Sequence, residues 1–118
     1  MSRDPVLFLE DVERACTNII SYTRGHARDQ VFCDQMRLDA VLMNFQIIGE
    51  AVKRLSVETR DEYPSIPWRR IAGMRNVVAD AYYALDLDIV WDAICVDVPE
   101  LQEQIRGMIA AELGSRTS

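Results

Sequence analysis

Between Leu38 and Leu55 the residues Leu38, Val41, Leu42, Phe45, Ile48, Val52 and Leu55 recur every three or four positions. That spacing lines one side of an α-helix and would scatter over both faces of a strand, so it commits this stretch to an amphipathic helix. The same period runs through Val6, Leu9, Val12, Cys16, Ile19 and Ile20, and through Trp68, Ile71, Ala72, Met74, Val77, Val78 and Ala81. It returns in Leu101, Ile105, Met108 and Ile109, and no strand-like alternation interrupts the series. Asp4-Pro5 starts the first helix, with Asp4 as cap and Pro5 at the first helical position, and Arg24-Gly25 ends it. Asp34 caps the second long helix after a short turn near Asp29 to Phe32. Gly49 sits inside that helix at a cost of about 1 kcal/mol against alanine. Either another helix approaches closely there, or the glycine is a tolerated defect.

A short segment from Ser56 to Tyr63 stops at Pro64. Pro67 then opens a third long helix running to about Tyr83, and a turn near residues 85–88 leads to a last helix from about Ile89. Pro99 predicts a kink or break near Asp97, because proline removes one helical hydrogen bond and collides one turn back. Four long helices with short connections predict an all-α antiparallel bundle of four to five helices. Residues 1–118 read as a single domain with a loose tail over about 114–118. The apolar excess on the second and third helices predicts that a second copy covers part of it, giving a homodimer.

Charge narrows the function. Thirteen basic and nineteen acidic residues give a net charge of −6, which excludes a generic polyelectrolyte binder of nucleic acid. The charge is uneven: residues 51–75 carry six basic and three acidic side chains, whereas residues 76–104 carry seven acidic and no basic ones. Such blocks fit solvated helix faces, or a basic anion site beside an acidic surface for a partner protein. Cys16, Cys33 and Cys95 are an odd set without metal spacing, pointing to buried thiols in a reducing compartment. No apolar run is long enough to span a bilayer, so a cytoplasmic protein without membrane contact is expected. His26, the only histidine, has no partner at ligand spacing, so neither a metal nor a cofactor is expected. Trp68 and Trp91 suit packing better than base stacking.

The segment PWRRIAGMRNVVADAYYALDLDIVW from Pro67 to Trp91, with LDAVLMNFQIIGEAVKRL upstream, resembles the HepT-like branch of the HEPN superfamily over about residues 5–110. The resemblance implies a HEPN-type helical bundle. It also implies the toxin of a type VII toxin–antitoxin pair: a metal-independent ribonuclease, homodimeric, whose partner is a minimal nucleotidyltransferase (MntA-like) antitoxin. The family motif is Arg, four to six residues, His, any residue, Tyr. Arg75 matches the arginine, Asn76 the following polar residue and Tyr82 the tyrosine, which the resemblance makes the acceptor of AMP from the antitoxin. Asp80 stands where the motif has histidine. Arg69 and Arg70 become candidate RNA contacts.

The chemistry makes that departure costly. RNA cleavage through its own 2′-OH needs a base, an acid and positive charge at the phosphorus. Arginine supplies fixed charge and a bidentate fork, and histidine titrates near neutral pH. An ordinary aspartate is ionised at pH 7, donates no proton and repels phosphate. The expected loss is about 10²- to 10⁴-fold in rate. Two explanations fit: natural divergence to a relative that still binds its partner, or an inactivating substitution. On an ideal helix Arg75 and Asp80 lie about 140° apart, so one straight helix does not aim both at one phosphate. The resemblance answers with a cleft between two subunits. The alternative function is a non-catalytic HEPN interaction module that binds a nucleotidyltransferase or RNA.

Overall fold

The computed structural model describes residues 4–83 and 86–117, without the side chains of Tyr82 and Thr117. Every regular element among them is helical: α1 (Pro5–Thr23), α2 (Arg28–Phe32), α3 (Gln35–Lys53), α4 (Val57–Asp61), α5 (Trp68–Ala72), α6 (Arg75–Tyr82), α7 (Leu87–Asp92), a π turn (Ala93–Asp97) and α8 (Val98–Thr117). Local chemistry sets the first boundaries. The Asp4 carboxylate accepts from the Val6 N–H at 2.9 Å and Pro5 takes the first helical position. Gly25, at φ +77°, turns the chain after α1 in the left-handed region that glycine enters without strain. Asp34 caps α3 by accepting from the Arg37 N–H at 3.2 Å.

Three long helices make the frame. The α1–α8 pairs run in opposite directions: Asp4 meets Arg116, Glu13 meets Arg106 and Thr17 meets Gln102. The α1–α3 pairs do the same, with Arg37 Nη1 donating to the Tyr22 carbonyl and Asn18 donating to Asn44 at 3.1 Å. Leu9, Val12, Cys16 and Ile19 of α1 interlock with Val41, Phe45, Ile48 and Val52 of α3 and with Leu101, Ile105 and Met108 of α8. Phe45 and Ile48 are fully buried, as the stripe requires. Asn44 is the one buried polar side chain among the described residues. Its amide donates to the Ala40 carbonyl at 2.7 Å while its oxygen accepts from Asn18, so both ends of the Asn44 amide are satisfied.

The third helix departs from the expected single rod. It is two helices, α5 and α6, separated at Gly73-Met74. Met74 N–H donates to Ile71 O, Asn76 N–H to Gly73 O and Val77 N–H to Met74 O, all across three residues. This tight winding brings Ile71, Met74 and Val77, all buried, onto one line, because three residues make a full turn of a 3₁₀ helix. Tertiary burial has overridden the average 3.6-residue period. The last helix starts at Leu87, two residues before the expected position, with the Asp86 carboxylate capping it. Pro99 produces no break. The chain instead widens into the π turn, where the Val98 N–H reaches back five residues to Ala93 O, and helix resumes. Helix also continues past Gly114 to Thr117, with Arg116 Nη2 at 2.5 Å from Asp4 Oδ1.

The tryptophans pack rather than present bases. Trp68 is partly buried and its indole N–H donates to Arg60 O at 2.9 Å and Tyr63 O at 3.1 Å, tying the α4 segment to α5. Trp91 meets Phe32 edge to face at 5.9 Å. No helix among the described residues is long and apolar enough to cross a membrane.

Candidate functional site

Arg75 is the first residue of α6, and Asn76, Asp80 and Tyr82 follow on the same helix. Because the winding changes at Gly73-Met74, α6 starts afresh at the motif arginine. The first N–H groups of α6 are already engaged, Asn76 with the Gly73 carbonyl and Val77 with that of Met74, so the positive charge offered there is that of the guanidinium. The anion present is a carboxylate of the protein itself: Arg75 Nε lies 3.3 Å from Glu50 Oε1 on α3. The two side chains are 44 % and 43 % exposed, so the pair is open to solvent and to a competing phosphate.

Gly49 explains how Arg75 reaches that position. A Cβ on Gly49 would overlap the Arg75 Cγ outright and come within 3.1 Å of its Cδ. The close approach expected at this glycine is therefore real, but it is made by the stem of a side chain rather than by a helix backbone. The Ala72 carbonyl, the next nearest group, lies at an ordinary 3.5 Å.

Asn76 is exposed and adjoins Arg75. Asp80 is half-buried and forms no hydrogen bond or ion pair with the described residues. Tyr82 ends α6, and its side chain lies outside the described residues; Tyr83 is exposed. The two neighbouring arginines differ. Arg69 is exposed with no ion pair among the described residues. Arg70 Nη2 contacts Asp97 Oδ1 at 2.5 Å, linking α5 to the π turn. His26 is a loop residue whose Nδ1 donates to the Arg24 carbonyl at 3.0 Å. No cluster of metal-ligating side chains occurs among the described residues.

Glu50 was not singled out by the sequence. Its signal was the glycine next to it, an energetic cost inside a helix that only a close neighbour would justify. Glu50 also sits on the rim of a groove between α1 and α3 of about 210 Å³, floored by Phe8, Met43, Ile47 and Ala51 and edged by Asp11 and Arg54. Met36, Met43 and Ile47 are exposed on α3, and their spacing of seven and four residues lines them up with Glu50 along one stripe.

The fold is a small helical bundle that holds a half-exposed arginine and an adjacent asparagine at the start of α6. The chain belongs to the HepT-like ribonuclease family, whose model, "Ribonuclease HepT-like", matches residues 12–108. A Thermococcus cleftensis protein named "Probable ribonuclease HepT" is 33 % identical over 102 residues, covering 86 % of this chain and 93 % of its own length. A Caldanaerobacter subterraneus protein provisionally named an RNase is 31 % identical over 110 residues, covering 93 % and 98 %. A Methanocaldococcus jannaschii protein whose name joins gamma-glutamylcyclotransferase to a provisional RNase is 34 % identical over 105 residues. That match takes in 89 % of this chain but only 47 % of the relative, so the chain spans about half the length of that protein. No solved structure matches the chain.

Proposed function

We propose that this chain is the toxin component of a type VII toxin–antitoxin pair, with the fold of a metal-independent endoribonuclease and a reaction weakened by Asp80. The observation that carries the reading is Arg75: half-exposed, at the start of α6, in a family named for ribonuclease activity. Its guanidinium neutralises the scissile phosphate and stabilises the charge that grows as the 2′-OH attacks. Asn76 offers a neutral donor beside it. Asp80 withholds the proton transfer that a histidine would supply.

The reading includes a homodimer in the cytoplasm. Support comes from the apolar stripe of Met36, Met43 and Ile47 on α3, exposed on a single chain and leading to Glu50. A second copy seated there would bring its own chain beside Arg75. The partner is a minimal nucleotidyltransferase that transfers AMP to the Tyr82 hydroxyl, releasing pyrophosphate from ATP. The adduct adds bulk and negative charge beside the RNA site.

A second reading, the non-catalytic interaction module, draws its support from the aspartate at position 80. One experiment separates them: incubation with labelled RNA in excess chelator, beside Arg75→Ala. Weak cleavage lost with Arg75 supports the enzyme. RNA binding without cleavage at any enzyme concentration supports the module. Incubation with the nucleotidyltransferase and Mg-ATP should add adenylyl mass to the wild type and none to Tyr82→Phe.

A further inference from the structure

We infer that Gly49 and Glu50 of α3 are a dedicated positioning device for Arg75, one by leaving out a side chain and the other by supplying a carboxylate. This rests on the reading of Arg75 as the phosphate-binding residue. A long arginine on a solvent-facing helix start has many rotamers, and fixing one costs conformational entropy at the moment of binding. The structure meets part of that cost beforehand. The Cγ of Arg75 lies in the space that a Cβ at position 49 would occupy, and its Cδ borders that space at 3.1 Å. Confined there, the stem can leave α3 in few directions. Glu50, the next residue, receives the guanidinium through Nε at 3.3 Å. Both positioning groups sit on one rigid helix, Gly49 buried beside Phe45 and Val52 and Glu50 at the edge of that face, so the cradle cannot drift relative to the core.

The device accounts for two facts that otherwise stand apart. A glycine in mid-helix is unfavourable, yet here alanine is excluded by a side chain and not by backbone. An acidic residue beside a phosphate site is also unfavourable. It is tolerable if its oxygen orients the guanidinium until a phosphate oxygen replaces or joins it. The exposure of both partners permits that exchange.

The test is a thermal and a binding experiment on the full chain. Gly49→Ala is made alone and together with Arg75→Ala. With Arg75 cut to alanine, no heavy atom lies closer than 3.5 Å to the new Cβ, so the helix gains its usual preference and Tm rises by about 4 °C. With Arg75 present, the same substitution displaces the stem and Tm does not rise. Equal rises in both backgrounds would overturn the contact. Binding is then read by anisotropy of a 2′-O-methylated, uncleavable RNA at fixed salt. Arg75→Ala weakens it about tenfold or more, and Gly49→Ala weakens it several-fold in a folded protein. At position 50, length decides over charge: Glu50→Gln keeps an acceptor at the right reach and retains binding, whereas Glu50→Asp keeps the charge but draws it back and loses several-fold. Asp retaining and Gln losing would overturn the positioning role of Glu50. If Arg75→Ala weakens binding and Gly49→Ala does not, the cradle is wrong and the site stands. If Arg75→Ala leaves binding unchanged, the reading of the site itself falls, whatever the thermal cycle gives.

Discussion

Asp80 combines two penalties that substitution can separate. The first is its charge. On ideal α-helical geometry Asp80 lies about 9 Å from Arg75 between Cα atoms, a rise of 1.5 Å per residue over five residues plus the sideways turn. Because the two side chains point about 140° apart on one helix, a phosphate held by Arg75 of the same chain is about 15 Å from the Asp80 carboxylate. At an effective dielectric between that of water and that of a protein surface, two like charges at this distance repel by about 0.3–1.1 kcal/mol. That is about a 1.5- to 6-fold loss of RNA affinity at low salt, shrinking as salt is added. The second penalty is the missing proton relay, worth about 10²- to 10⁴-fold in turnover. Asp80→Asn removes the first penalty only, and Asp80→His removes both. Anisotropy with uncleavable RNA should therefore show similar gains for the two variants. Cleavage under saturating RNA, with chelator present, should rise by orders of magnitude for His and stay flat for Asn. The His variant should also follow a pH profile with a limb near neutrality, where imidazole titrates. Equal turnover gains for Asn and His would show that charge was the whole obstacle. No gain in either would remove position 80 from the reacting centre.

Two further outcomes follow from ordinary side-chain chemistry. Burial, aided by the charge of Glu13, pushes the Cys16 thiol up to about 12, while Cys33 and Cys95 are exposed. A thiol reagent at pH 8 should thus label two cysteines in the folded protein and the third only on unfolding; burial and Asp92 also raise Cys95, making Cys33 the faster of the two. The Asp4 carboxyl is held below its ordinary value by its hydrogen bond from Arg116 and then by the Val6 N–H. A depressed carboxyl contributes stability above its unfolded value, near pH 4, and loses it as pH falls through the lower folded value. Tm of the wild type should therefore drop more steeply below pH 4 than that of Asp4→Asn, and parallel curves would refute the linkage.

The parts of the fold legible in the sequence are those fixed by neighbours. The α1 boundaries follow from Asp4-Pro5 and Gly25, and α3 follows from its cap at Asp34 and its apolar stripe. The division between α5 and α6 was not legible. Ile71, Met74 and Val77 fit a rod of either winding, and only the core they enter selects the tighter one. Pro99 signalled a disturbance near Asp97, and it takes the form of a widened turn. At the site, Arg75, Asn76, Asp80 and Tyr82 could be placed together because they share one helix. Glu50 could not, because its meeting with Arg75 depends on how α3 and α6 pack. Arg70 read as a candidate RNA contact, and its meeting with Asp97, 27 residues away, was not legible for the same reason.

The bridge from Asp4 to Arg116 makes the backbone close to a ring. Asp4 and Arg116 lie at one pole of the bundle, where the start of α1 meets the end of α8. A domain joined at Asp4 or at Arg116 would emerge from the same pole. One turn of α1 separates Asp4 from Phe8, which shares the α1–α3 groove with Glu50. Such a graft would therefore stand next to that groove, where it could cover it without touching the core.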